Sequence, residues 1–589
     1  MATTEPLPYP PLPAARPQRR EATVRALAAG CGIGAILAAG NVYTALKTGF
    51  IDGGGITAAL LGFMLFSGVK ALARRRYGLL ENNITQTTAA SAAIMGFVVG
   101  LPGPVPALDF IGALPPAWVI AVWGLATGVL GILAAVILRR QLIVDDALAF
   151  PTGAATAEVI ETIHATRGEA VRRVSLLAGA AAIAMLVTWF RDGSPKLVPQ
   201  ATAFGGTIAG IAAARLTFGV SWSPLLLSTG ALVGLRGGAS MLLGGGLAWG
   251  VFAPWLLNAG IIREAEYGPL TTWLVWPALG ILAAGSFLPL LLDIGALRRS
   301  FRDLGALARR GSGAPPATSA GPAPIRSRTL LLLFLASVVT LAMIGRAQFG
   351  LGLAPLAIAI MLALLLANVC ARATGETDVG PAGPMGTLTQ AAFTSSGAVT
   401  SVVTGSVSSG SATQVTQTLY ALHVGHRLGA STRAQVGAQL LGAALGAVVV
   451  VPVYFLLART YGIGTEALPA AGAQSWKAMA EAARGGVAGL PLHAMLAGAL
   501  GLAAGAALTL AGRTRIGRFL PSPAAMGLGM LVPASYSFAI FAGAIAVAAA
   551  RRMRPGLSES DVMTVAAGGM AGESLMGVVI AALVFAGIL

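Results

Sequence analysis

The sequence predicts an all-α polytopic membrane protein, and three observations carry that reading. Of its 589 residues, 56% are hydrophobic and only 10% are charged, where a soluble domain carries about 25% charged residues. A surface in water cannot be built from so few charges, so lipid covers much of the outside. The apolar residues fall in runs of about 17–25, the helix length that spans a bilayer: Trp118–Leu138, Trp273–Leu292, Leu351–Val369 and Val565–Leu589, with a shorter run at Leu330–Ile344. Hydrocarbon leaves helices or closed barrels as the backbones that satisfy their own polar groups, and barrel strands would show short alternating segments instead. The 78 glycines let helices approach closely where packing replaces the hydrophobic drive between them.

The formal net charge of +17 does not point to nucleic acid, because the arginines cluster beside the ends of apolar runs. That is the bias of cytoplasmic loops. Cys31 and Cys370 lie in or beside apolar runs without a C-x-x-C pattern, so neither a disulfide framework nor a metal site is expected. No cofactor is implied. No cleavable signal peptide is visible; the Pro- and Arg-rich residues 1–23 read as a disordered cytosolic tail.

The basic clusters set an expected topology: the tail to Arg25, Arg74–Arg76, Arg139–Arg140 through Arg172–Arg173, and Arg298–Arg328, all cytoplasmic. Two runs separate each of the first three clusters, Val24–Leu46 with Gly54–Val69, then Ile84–Leu101 with Trp118–Leu138. Between Arg173 and Arg298 come five: Leu176–Phe190, Ala201–Phe218, Leu225–Leu235, Ser240–Leu257 and Trp273–Leu292. Five crossings would strand the linker on the wrong side, so one run must be re-entrant, broken or merged. Ser221–Gly237, punctuated by Pro224, Gly230, Gly234 and Gly237, is the expected one. Residues 298–328 read as a cytosolic linker between two transmembrane repeats, 24–297 and 329–589. Ser223-Pro224 matches Ser522-Pro523, and Glu81 matches Glu376, at offsets near half the chain. These matches predict two parallel repeats with an even number of spans each.

Charges at bilayer depth cost about 2.5–3.5 kcal/mol each on the insertion scale, so polar runs inside the apolar pattern mark candidate sites. Tyr43 and Lys47 close the first span; Lys47 either meets a carboxylate or snorkels to the interface. Glu81-Asn82-Asn83-Ile84-Thr85-Gln86-Thr87-Thr88 opens the third. Capping accounts for Glu81 and Asn82, but not for the amides and hydroxyls that follow, which suit a cavity wall. Glu158 and Glu161 share a helix face after Pro151; they are either a solvated face or a carboxylate pair able to exchange a proton. Arg372, Glu376 and Asp378 form a charge-balanced group. The next stretch, Thr387–Gln417 with Gln414, is polar yet uncharged, as a cavity-lining helix pair would be. Arg236, between Gly234 and Gly237, and Glu573, the most isolated acid in an apolar context, complete the candidates.

These same stretches resemble the oligopeptide transporter family, which includes the yellow stripe-like transporters. The matching passages are Asn41-Val-Tyr43-Thr-Ala-Leu-Lys47-Thr-Gly49, Glu81-Asn-Asn-Ile-Thr-Gln-Thr87, Phe150-Pro-Thr-Gly-Ala-Ala-Thr-Ala-Glu158, Gly234-Leu-Arg236, Arg372-Ala-Thr-Gly-Glu-Thr-Asp378, Pro521-Ser-Pro523 and Gly568-Gly-Met-Ala-Gly-Glu573. The chain departs at Ala421-Leu-His-Val-Gly425, where relatives often carry Asp-Leu-Lys-Thr-Gly, and lacks the Asn-Pro-Gly and Lys-Ile-Pro-Pro-Arg motifs of the fungal and plant peptide branch. The resemblance implies about 16 spans and a bacterial inner-membrane importer; the basic tail puts its N-terminus in the cytoplasm. It implies proton-coupled symport of short oligopeptides, with metal chelates as the alternative cargo. A passive channel is the alternative of another class. Protons, a small-molecule solute and lipid are the expected partners, as monomer or homo-oligomer. No enzyme motif (H-E-x-x-H, G-x-S-x-G) and no Walker run is present.

Overall fold

The computed structural model describes residues 21–51, 53–68, 77–292, 325–378, 380–485 and 491–589. The tail up to residue 20, Arg74–Arg76 and most of the linker lie outside the described residues.

The first half contains α1 (Val24–Thr48), α2 (Gly55–Gly68), α3 (Leu79–Ala93), α4 (Met95–Val99), α5 (Pro104–Phe110), α6 (Ala117–Arg139), α7 (Pro151–Ala165), α8 (Arg167–Asp192), α9 (Pro224–Leu247), α10 (Ala253–Asn258) and α11 (Tyr267–Leu292). The second contains α12 (Ser327–Phe349), α13 (Leu353–Thr377), α14 (Ala382–Ala392), α15 (Ala398–Leu428), α16 (Thr432–Tyr461), α17 (Ala471–Gly485), α18 (Ala494–Ala511), α19 (Pro523–Leu531), α20 (Ala534–Met553) and α21 (Glu559–Phe585). Twelve helices among the described residues are long and apolar enough to cross a bilayer, fewer than the 16 expected. The reason is local. α2, α14 and α19 have only 14, 11 and 9 residues. α15 has 31 residues, but its Ser, Thr and Gln side chains are buried among other helices rather than turned to lipid.

One expected span is not a helix. Ala201–Phe218 folds into short strands, loops and a 3-10 turn at Ala213–Leu216: β1 (Ala201–Ala203) pairs antiparallel with β4 (Gly219–Ser221), and β2 (Thr207–Ile208) with β3 (Ile211–Ala212). Gly206 and Gly210 adopt φ of 94° and 84°, a backbone that glycine alone takes without strain and that no helix accommodates. This segment forms a cap over the end of α8 and the start of α9.

The run Ser221–Gly237 is helical from Pro224 and broken, as expected, at Gly234 (φ 75°, ψ 176°). Gly230 and Gly238, on either side of the break, both pack on the Ile540–Ala544 stretch of α20. Farther out, Gly245 meets Ser537 and Trp249 donates to the Val532 carbonyl. The chain thus runs along α20 to Gly234, reverses and returns, ending where Asn258 donates to Ala209 of the cap. With Ala201–Phe218 removed from the count, α8, the two limbs of α9 and α11 are the long helical segments between Arg173 and Leu292.

Helix ends sort onto two faces. Opposite the cap lie the starts of α1 and α3, joined by Arg25–Glu81 (2.5 Å), and the starts of α8 and α21, joined by Arg172–Asp561 (2.9 Å). Arg427–Glu161 (2.9 Å) ties the end of α15 to α7 there.

The α9–α20 crossing depends on Gly230, since a methyl group there would sit 1.8 Å from the Ile540 carbonyl oxygen. Gly230→Ala should destabilise the detergent-solubilised protein by about 1–3 kcal/mol or more, the usual cost of overpacking. Gly246→Ala, which meets no neighbour within 4 Å, should not lower the thermal midpoint. Equal midpoints for the two variants would refute this account of the crossing.

Candidate functional site

Glu573 sits near the middle of α21 with 0% exposure. Its carboxylate accepts from Lys47 Nζ at 2.8 Å, Arg191 Nη2 at 3.0 Å, Ser223 Oγ at 2.8 Å and the Leu225 amide at 2.9 Å. Each donor comes from sequence logic that is local to its own element. Lys47 lies in the last turn of α1, whose C-cap Gly49 ends the helix in the left-handed conformation. Arg191 closes α8. Ser223 is the N-cap of α9, with Pro224 at the first helical position. Leu225 therefore offers an amide that no helical carbonyl can take. The carboxylate is docked on the positive end of a broken helix between two cations, an arrangement that favours an anion.

Four charges meet here. Arg191 also holds Asp192 through Nε (2.9 Å) and Nη2 (2.5 Å), and donates to the Trp222 carbonyl at 3.1 Å. Lys47 donates to the Tyr43 hydroxyl at 3.0 Å and lies 5.2 Å and 5.8 Å from the Tyr43 and Tyr536 rings, within cation–π range.

Between this cluster and the cap lies a small polar cavity of about 80 Å³. Lys47, Arg191 and Asp192 line it, with Tyr43, Tyr461 and Tyr536 as walls, Gln200 and Ser221 from the cap, and Glu466. The Tyr536 hydroxyl donates to the Glu466 carbonyl at 2.8 Å, which fixes one wall. Its lining presents groups of both charge signs, Lys47 and Arg191 against Asp192 and Glu466.

Of the sequence candidates, Tyr43, Lys47 and Glu573 come together here. The others lie elsewhere. Glu81 caps α3, accepting from Arg25, Thr23 and the Gly78 amide. Asn82, Asn83 and Gln86 are buried along α3. Gln414 is fully buried on α15 and donates to Ser91 and Gln439, both at 3.3 Å. Asn83 Nδ2 and Oδ1, Gln414 Oε1 and Gln439 Nε2 have no hydrogen-bond partner among the described residues, so this seam is polar without charge. Arg372 pairs with Asp146 and, at 3.3 Å, with Glu376. Asp378 is the left-handed C-cap of α13 and accepts from the Thr152 amide and hydroxyl and from the Tyr420 hydroxyl. Arg372 and Asp378 tie α13 to α7 and its approach. Glu158 is exposed on α7, while its neighbour Glu161 takes Arg427. Arg236 is exposed at the tip of the α9 break and donates to the Leu520 carbonyl at 2.9 Å.

Sequence reasoning missed Arg191, Asp192, Tyr461, Glu466 and Tyr536, and used Ser223 only as a repeat marker. Phe190-Arg191-Asp192 at the end of an apolar run looks like any topological boundary. The signal that could have found it is the charge balance: an isolated Glu573 needs buried cations, and Lys47 alone does not surround it.

No group of three His, Cys, Asp or Glu able to hold a metal ion occurs among the described residues. The family model for the OPT oligopeptide transporter protein matches residues 21–584. The chain belongs to the oligopeptide transporter family. It is similar to a candidate oligopeptide transporter of Saccharomyces cerevisiae, 25% identical over 90% of this chain and 91% of the relative. It is similar to an iron-phytosiderophore transporter of Oryza sativa, 23% identical over 95% and 91%, and to a metal-nicotianamine transporter of Arabidopsis thaliana, 24% identical over 95% and 92%. This member of the oligopeptide transporter family is therefore a transporter and not an enzyme.

Removing one partner from a buried ion pair costs about 3–5 kcal/mol, because the other charge is left alone. Lys47→Met and Glu573→Gln should each destabilise the protein on that scale, and the double variant by clearly less than the sum. Strict additivity in thermal unfolding would mean that the two groups do not interact. Glu158→Gln should change stability by no more than about 0.5 kcal/mol, as exposed sites do.

Proposed function

We propose that this protein is a secondary active transporter that imports short oligopeptides by proton symport across the cytoplasmic membrane of a bacterium. In this reading the cap faces outward and the N-terminus is cytoplasmic. The observation that carries it is the cavity beneath the cap, floored by Lys47, Arg191 and Asp192 with Glu573 behind them. A short peptide is a zwitterion. Its carboxylate suits Lys47 and Arg191, its ammonium suits Asp192 or Glu466, and the tyrosines suit the apolar part of its side chains.

The orientation is supported by charge. Arg25, Arg139, Arg140, Arg172, Arg173 and Arg427 sit on the face opposite the cap, as do Arg551 and Arg552 at the end of α20; cytoplasmic loops are enriched in such residues. The two-repeat reading, eight or so spans on each side of a linker at 298–328, is supported by Ser223-Pro224 and Ser522-Pro523. Each opens a short helix that ends in a break, at Gly234 and at Val532-Pro533. The limb of α9 beyond the break packs on α19, with Gly244 on Met526 and Gly529 on Met241. Proton coupling needs a carboxylate that can change partners. Among Glu81, Glu376, Asp378 and Glu573, only Glu573 touches the cations of the cavity. Inward movement of one proton through about 100 mV supplies about 2.3 kcal/mol.

A metal-chelate cargo is the second reading, favoured by two adjacent cations that suit a polycarboxylate chelate and by the names of two of the relatives. In proteoliposomes, an inwardly directed proton gradient should drive saturable accumulation of a labelled tripeptide, abolished by Lys47→Met. Competition that favours ferric or nickel chelates over unlabelled tripeptide would replace the peptide reading with the chelate reading. Non-saturable flux insensitive to pH would replace both with a channel.

A further inference from the structure

We infer that Glu573 is an internal stand-in for the carboxylate of the transported solute: Lys47, Arg191, Ser223 and the Leu225 amide form a carboxylate-binding site that the protein fills with its own side chain. The inference rests on reading the cavity as the solute site. Three features carry it. First, all four contacts to Glu573 are donors, and they surround one carboxylate on both oxygens. A carboxylate offers about four lone-pair sites, so the number of donors in the cradle matches that group. Second, Lys47 and Arg191 each touch Glu573 on one side and line the cavity on the other, while Glu573 itself does not line it. The cations are placed to pass from one carboxylate to another without losing a partner. Third, Arg191 holds Asp192 through Nε and Nη2, and Nη2 also donates to Glu573, so Arg191 keeps a carboxylate partner while the Glu573 contact is exchanged. The broken helix contributes a fixed donor end at depth, the usual way a discontinuous helix receives an anionic solute group.

The exchange conserves charge. A solute carboxylate takes Lys47 and the Arg191 edge that Glu573 occupied, and Glu573, left without cations at depth, takes up the proton that enters with the solute. A buried carboxylate without a partner is costly, which links the two events.

Removing the stand-in should open the cradle to a small free carboxylate. The experiment uses the purified full chain in detergent and follows thermal unfolding of Glu573→Ala in rising sodium formate, with sodium chloride holding the ionic strength constant. Formate should raise the midpoint saturably and recover at least half of what the substitution lost, as a ligand that binds only the folded state does. Lys47→Met added to Glu573→Ala should weaken the response by more than about tenfold, the scale of losing a buried charge partner. Glu573→Gln, whose amide keeps the cradle filled, should not respond. If Glu573→Ala gives no folded protein in chloride, the readout becomes the yield of monodisperse protein extracted in formate against chloride. Coincident formate and chloride results, or an equal response in Glu573→Gln, overturn the inference. Rescue by formate without tripeptide uptake would keep the cradle and discard the peptide reading; uptake without rescue would do the reverse.

Discussion

One carboxylate holds the centre of this molecule together. Glu573 on α21 draws Lys47 from α1, Arg191 from α8 and the start of α9 to a single point. Three of those elements belong to the first half of the chain and one to the end of the second. A bare acid at this depth would cost several kcal/mol, so none of these helices can shift alone without exposing a charge. The cap, the cavity and the broken helix are arranged around that constraint.

The broken helix is what makes the constraint affordable in hydrocarbon. A continuous helix presents its amide end only at the membrane surface. Gly234 lets α9 reverse, which brings the Ser223–Leu225 end to Glu573 in the interior. The reversal in turn needs both limbs to lie close on α20, and glycines at the contacts supply the room. Small residues that looked in sequence like general membrane packing thus have a specific task, to place a donor group where an acid waits.

How much of this was legible in the sequence follows from the range of the interactions. Helices set by long apolar runs, such as α6 and α11, were readable because lipid imposes a length. Val24–Leu46 and an interruption within Ser221–Gly237 were readable, the second because Gly and Pro act locally. Ala201–Phe218 was misread as a span: its average apolarity matched a helix, while positive-φ glycines inside it decide for hairpins. Glu573 and Lys47 stood out singly as acid and base in apolar surroundings. Their meeting, 526 residues apart in sequence, is a tertiary fact that no local pattern carries. Arg191 was hidden for the opposite reason, since it lies where topology alone explains an arginine. Glu81, Arg372 and Asp378 carried the same polar signature as Glu573, yet they cap helices and tie helix ends on the face opposite the cap. Sequence does not distinguish a charge that anchors an end from one that faces a cavity.

The cluster of Lys47, Arg191, Asp192 and Glu573 contains two positive and two negative groups. Its net charge is zero. A group of zero net charge can change its depth in the bilayer without electrical work, whereas each unbalanced unit charge would exchange about 2.3 kcal/mol with a potential of 100 mV. A displacement of these four residues together would therefore be electrically silent. In the proposed exchange Glu573 becomes neutral while a solute carboxylate takes its place, so the sum stays at zero only with the solute bound.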